Sequence, residues 1–88
     1  MNEIVATLRS RLEDLSPTEL EIHDDSADHV GHAGAQNGAG HFSLVIVSKA
    51  FCGISRLERH QRVLSRVSDL LPYPIHALSI KALAPEEL

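Results

Sequence analysis

Eighty-eight residues, a 43% hydrophobic composition, a formal net charge of −4 and one cysteine describe a single small domain, too apolar to be disordered. Cys52 alone excludes an intramolecular disulfide or a multi-cysteine metal site built from this chain, and fits a reducing compartment. No apolar run approaches a membrane span.

The aromatic residues are Phe42, Phe51 and Tyr73. The core must therefore be aliphatic, sufficient for two layers but not for an enclosed substrate chamber. Charge is uneven. Residues 1–28 carry eight carboxylates against Arg9 and Arg11, whereas residues 49–66 carry Lys49, Arg56, Arg59, Arg62 and Arg66 against Glu58.

Ile4, Val5, Leu8, Leu12 and Leu15 form one stripe of a helix. Ser16-Pro17 ends it, because a residue before proline is pushed out of the helical region. The opening stretch lacks the basic and apolar regions of a secretion signal, so a cytoplasmic location is expected. Leu20 and Ile22 alternate with Glu19, Glu21 and His23, the pattern of a short strand with one wet face.

Residues 26–40 follow as a glycine- and histidine-rich loop without periodicity, far longer than a tight hairpin needs. Asp24, Asp25 and Ser26 are turn formers at its entrance. His41–Val47 is the strongest strand signal. Leu44–Val47 predicts a central strand buried on both faces. Phe51–Ser55 predicts a turn, with Ser55 as N-cap and Glu58 completing a capping box.

Leu57, Leu64, Val67 and Leu71, joined by Val63 and Leu70, predict a helix that Pro72 and Pro74 stop. Ile75–Ile80 alternates as a last strand, and Pro85–Leu88 is a polar tail. The helical crossover between the second and third strands suits a parallel pairing. The expected fold is α+β, with a three-stranded mixed sheet covered by helices on one face. Residues 1–88 make one domain.

Four histidines, His23, His29, His32 and His41, fall in residues 23–42. Histidine is a common metal ligand. The spacing lacks the frame of a closed zinc site, and exposed loop histidines without a task are the plainer alternative. His41, at a strand start, reads first as a packing or hydrogen-bonding residue. His60 reads as a helix-packing residue and Cys52 as a buried, inert thiol.

Several segments together resemble the BolA family, of the BolA/IbaG kind. Asp24–His29 resembles its D-E-S-x-x-H, and His41-Phe42 its H-F. Val47-Ser48-x-x-Phe51-x-Gly53 resembles V-S-x-x-F-x-G. Leu57–Arg62 resembles L-x-R-H-R, and Ile75-His76-Ala77-Leu78 resembles V/I-H-A-L. The resemblance implies a fold like the class II KH domain, α-β-β-α-α-β. It implies a non-enzymatic partner of a monothiol glutaredoxin, sharing a [2Fe-2S] cluster held also by glutathione. The family's strand ligand falls on His76. Its loop ligand is cysteine or histidine, and with no cysteine in residues 24–41 it falls on His29, with His32 and His41 as secondary candidates. Histidine ligation implies a raised cluster potential and acid lability. The free protein is expected as a monomer or weak homodimer.

The resemblance also carries an alternative: a DNA-binding transcriptional regulator of stress response and cell morphology. Arg59, Arg62 and Arg66 share a helical face, with Lys49 and Arg56 adjoining, and such a stripe can contact phosphates. The turn before the helix holds one glycine, so the G-x-x-G clamp of KH domains is missing.

Overall fold

The computed structural model describes residues 3–26 and 40–88. Helix α1 spans Glu3–Arg11 and runs into a 3-10 turn at Glu13–Leu15. Leu8, Leu12 and Leu15 are buried, so the predicted stripe is the face that meets the core. Ser16 terminates the helix in the left-handed region (φ 49°), its N–H donating to Glu13 O at 2.9 Å. Pro17 then directs the chain into strand β1, Glu19–Asp24.

Strand β2 spans Gly40–Val47 and strand β3 Ile75–Leu83. The sheet order is β1-β2-β3, with β1 antiparallel and β3 parallel to β2. The β-branched run thus takes the central position, as expected. Leu44, Ile46 and Val47 are buried, but Val45 is only half-buried. The expectation that both faces of β2 are closed is corrected: the helices cover one face, and Val45 lies on the other. β3 also extends three residues beyond the predicted strand, to Leu83.

The V-S-x-x-F-x-G segment is a structural device. The Ser48 hydroxyl donates to Leu15 O at 2.5 Å and accepts from the Ala50 N–H at 3.0 Å, capping a 3-10 turn at Lys49–Phe51. Phe51 is fully buried, and Gly53 turns the chain at φ +77°. This turn stands where the α-β-β-α-α-β order has the first of its two consecutive helices.

Helix α2, Arg56–Val67, starts on Ser55, whose hydroxyl accepts from the Glu58 N–H at 3.1 Å. The return half of the predicted capping box is replaced by an ion pair from Glu58 to Arg62 at 2.6 Å. The buried stripe of α2 is Arg59, Val63 and Val67. Leu57, assigned to the core by periodicity, is 68% exposed. His60, expected to pack, is also exposed. Both follow from Arg59, which occupies the inward position one turn before Val63 and rotates its neighbours outward.

Candidate functional site: a histidine pair on the open sheet face

Strand alternation sends Leu20, Ile22, Phe42, Leu44, Leu78 and Ile80 toward the helices. The opposite face carries Glu21 and His23 from β1, His41, Ser43 and Val45 from β2, and Ala77, Ser79 and Lys81 from β3. None of these is fully buried.

Strict alternation would place His76 on the helix side, with Leu78. The register prevents this. Gly40 pairs with Ile75 and His41 with Ala77, so His76 is an extra residue with no opposite partner. A bulge of this kind re-aims a side chain. Ile75 stays fully buried while His76 and Ala77 are both exposed. His76 thereby reaches the face of His41, and their rings stand with centroids 5.1 Å apart at an interplanar angle of 48°.

Neighbouring residues hold His41 in place. Its N–H donates to the Ser26 hydroxyl at 3.1 Å, and its carbonyl accepts from the Asp25 N–H at 2.7 Å. Ser26 is fixed in turn by an Asx turn, its N–H donating to Asp24 Oδ1 at 2.9 Å. The predicted turn formers therefore have a further effect: they anchor the backbone of His41. On the other side, the Gly40 N–H donates to Pro74 O at 2.9 Å, tying β2 to the turn that leads into His76. A Cβ on Gly40 would lie 2.6 Å from Phe42 Cε1 and 2.8 Å from Ser26 Oγ, so glycine is required by space at this crossing.

Of the predicted ligands, the structure brings His76 and His41 together. His29 and His32 lie outside the described residues. His23 sits further along β1, exposed, with Nε2 3.6 Å from Glu21 Oε1. Among the described residues no group of three or more His, Cys, Asp or Glu is placed to hold a metal ion. Cys52 is exposed rather than buried, because it ends the 3-10 turn with its side chain away from Phe51 and the core.

The basic stripe is not the open surface that its spacing predicts. Arg59 is 7% exposed. Its Nε donates to Ile54 O at 3.0 Å, its Nη1 to Ala82 O at 3.3 Å, and it is ion-paired with Glu87. Arg62 pairs with Glu58, and Arg66 Nε meets Asp14 at 2.8 Å. Lys49 and Arg56 are exposed without an ion pair among the described residues. Three of the five candidate phosphate contacts are thus engaged within the fold. The acidic N-terminal segment supplies one of the carboxylates, and helix periodicity alone carries no sign of that.

Asp14 and Asp69 are held below the usual carboxylate range, chiefly by hydrogen bonds from Arg66 and Arg11 respectively. Glu87 is lowered first by the Ala84 N–H and then by Arg59. These pairs knit α1 to the end of α2, and the C-terminal 3-10 turn at Pro85–Glu87 to the middle of α2. They stabilise the layer behind the sheet rather than the histidine pair.

Residues 12–87 match the family model for BolA-like protein. The chain is 44% identical over 87 residues to SufE-like protein 1, chloroplastic/mitochondrial, of Arabidopsis thaliana, covering 92% of this chain and 24% of that protein. It is 39% identical over 85 residues to mouse BolA-like protein 1, covering 96% of this chain and 60% of the relative. The chain therefore spans only part of the length of these relatives. The solved structure of the BolA domain of SufE1 from Arabidopsis thaliana superposes with a TM-score of 0.84 at 40% identity, covering 100% of this chain and 99% of that one. Among the described residues no helix is long and apolar enough to cross a membrane. With the family model matching nearly the whole chain and the three-stranded mixed sheet shared with a solved relative, the chain belongs to the BolA-like proteins.

Proposed function

We propose that this protein is a BolA-like partner of a monothiol glutaredoxin, sharing a [2Fe-2S] cluster with it through histidine, in iron–sulfur cluster trafficking or iron and redox regulation. The observation that carries the reading is the bulge that delivers His76 beside His41 on the uncovered face of the sheet. Imidazole is a borderline ligand suited to iron, and the exposed His76 ring, 5.1 Å from that of the half-buried His41, can be met by an inorganic group presented from outside. His76 is the strand-fixed ligand. His41 stands as second ligand or as the ring that orients it, and His29 or His32 completes the histidine side from the loop. Thiolates come from the glutaredoxin and glutathione, in keeping with a chain that has only Cys52, on another part of the surface. When bound, the cluster supplies one-electron chemistry. The chain supplies ligands and a docking face rather than catalysis, in a reducing compartment such as the cytoplasm.

The test is co-expression with a monothiol glutaredoxin. A coloured heterodimer whose visible absorption is lost in His76→Ala supports the reading. A colourless mixture, or a His76→Ala complex with the unaltered spectrum, removes it.

Direct DNA binding remains the second reading, through Lys49 and Arg56, the candidates without ion pairs. Binding confined to so few phosphates would be weak and strongly reduced by salt. A tight, sequence-specific footprint at physiological salt would reverse the ranking.

A further inference from the structure

At the other end of β3 from His76 lies a groove of about 420 Å³ lined by Arg56, His60, Ile80, Lys81, Ala82 and Leu83. Its floor is aliphatic, and its rim carries two permanent cations. Arg56 and Lys81 form no ion pair among the described residues. Arg56 acts through space on Glu87, whose carboxylate is already taken by Arg59 and the Ala84 N–H.

One wall of the groove is a strand edge. Among the described residues β3 pairs only with β2. The Ser48 N–H, which follows β2, reaches Leu83 O at 3.0 Å, so the polar groups of Leu83 face β2. Arg59 reaches Ala82 O from α2 at 3.3 Å, so those of Ala82 face the other way. Alternation then turns the N–H and C=O of Ile80, and the N–H of Ala82, toward the groove. An edge with unpaired backbone groups is a template for a further strand.

We propose that this groove takes an extended acidic peptide segment of a partner protein. The segment adds as a strand to the edge of β3, with one carboxylate on its helix side paired with Arg56, another on its open side paired with Lys81, and apolar side chains on the helix side resting on Ile80 and Ala82. This is strand addition, in which main-chain bonds supply affinity and side-chain contacts supply selectivity. Charge complementarity selects the occupant: the protein as a whole carries −4, yet this groove presents two cations without ion pairs among the described residues. A nucleic acid strand fits less well. No Phe, Tyr or Trp lines the groove for base stacking, and two cations neutralise few phosphates. Lys81 is five residues beyond His76 on β3, on the order of 16 Å at strand rise, so the groove and the histidine pair can be occupied together.

The experiment uses the full chain and a short labelled peptide of Glu and Val that carries Glu on both faces of its extended form, followed by fluorescence anisotropy and by amide shifts in two-dimensional NMR. Saturable binding is expected, with shifts concentrated at residues 56–60 and 80–83. Arg56→Glu with Lys81→Glu should weaken it by about tenfold or more, the size of one or two charge-assisted contacts. Both positions are exposed, so the fold is expected to survive, and circular dichroism checks this. A peptide of the same sequence N-methylated at alternate residues keeps its charge but cannot complete the strand ladder, and should bind at least about tenfold more weakly. Equal binding of the methylated peptide, equal binding of a Lys/Val peptide, shifts centred on His41 and His76, or displacement by single-stranded DNA at lower concentration than by the peptide would each overturn the proposal.

Discussion

His41 and His76, 35 positions apart in the chain, stand with their rings 5.1 Å apart because β3 carries one residue more than β2 at their crossing. Removing the bulge would return His76 to the helix side of the sheet and separate the pair. The proposed site therefore depends on register as much as on residue identity.

For residue identity, His76→Ala is expected to abolish the visible absorption of the heterodimer with glutaredoxin while leaving the free protein folded, since His76 is exposed. His41→Ala should keep a coloured complex with an altered visible dichroism or a shorter lifetime. His29→Ala together with His32→Ala should weaken cluster retention more than either alone. Absorption and circular dichroism of the purified complexes check all three. A His41→Ala complex indistinguishable from the parent would confine the site to His76 and the loop.

Register can be disturbed without touching a histidine. Gly40→Ala places a methyl group against the buried Phe42 ring and against the Ser26 hydroxyl that holds the His41 N–H. Overpacking of this kind costs about 1–3 kcal/mol, readable by urea denaturation. The cluster should also be held less well at temperatures where the variant remains fully folded. A variant with parent stability would show that the crossing has room that these distances deny.

Arg59 separates the structural from the nucleic-acid reading of the basic helix. Truncation to alanine leaves Ile54 O and Ala82 O without their donor and Glu87 without its cation. A loss of about 2–3 kcal/mol in folding stability is expected from such unpaired groups. Arg59→Lys should recover only part of it, because a single ammonium cannot reproduce the fork that meets two carbonyls and a carboxylate. Were Arg59 a phosphate contact, Arg59→Ala would instead keep its stability and lower the salt slope of DNA binding.

Acid should loosen the layer behind the sheet. Asp14, Asp69 and Glu87 all titrate below their ordinary values in the folded protein. A lowered carboxylate adds stability that is fully present above its unfolded value, around pH 4, and is lost as pH falls through the folded one. The melting temperature should thus decline as pH is lowered below about 4.5. Asp14→Asn and Asp69→Asn should each flatten that decline. Because these pairs are exposed, added salt should flatten it as well. A melting profile in the double variant as steep as in the parent would assign acid lability elsewhere.

Much of the fold was legible in the chain because local physics specified it. The aliphatic stripe of α1, the stop at Ser16-Pro17, the β-branched run of β2 and the Ser55 cap each rest on neighbours a few residues away, and each stands where expected. The motif spacings identified the family for the same reason: Ser48, Phe51 and Gly53 form one turn whose capping, burial and backbone conformation need those residue types. His76 was singled out by its motif, and the turn-forming character of Asp24–Ser26 by composition.

Tertiary structure decided what depends on contacts between distant segments. Periodicity gave Leu57 to the core and Arg59 to the surface. The reverse holds because two backbone carbonyls and Glu87, from the far end of the chain, give a buried guanidinium the partners it needs. Arg66 looked available until the 3-10 turn after α1 brought Asp14 against it. Strict alternation would point His76 inward with Leu78, whereas a bulge, visible only when β3 lies beside β2, turns it to His41. The chain by itself determined which elements form and which side chains carry the chemistry. Pairing register and long-range ion pairs, which have no local signature in sequence, decided which of those side chains meet.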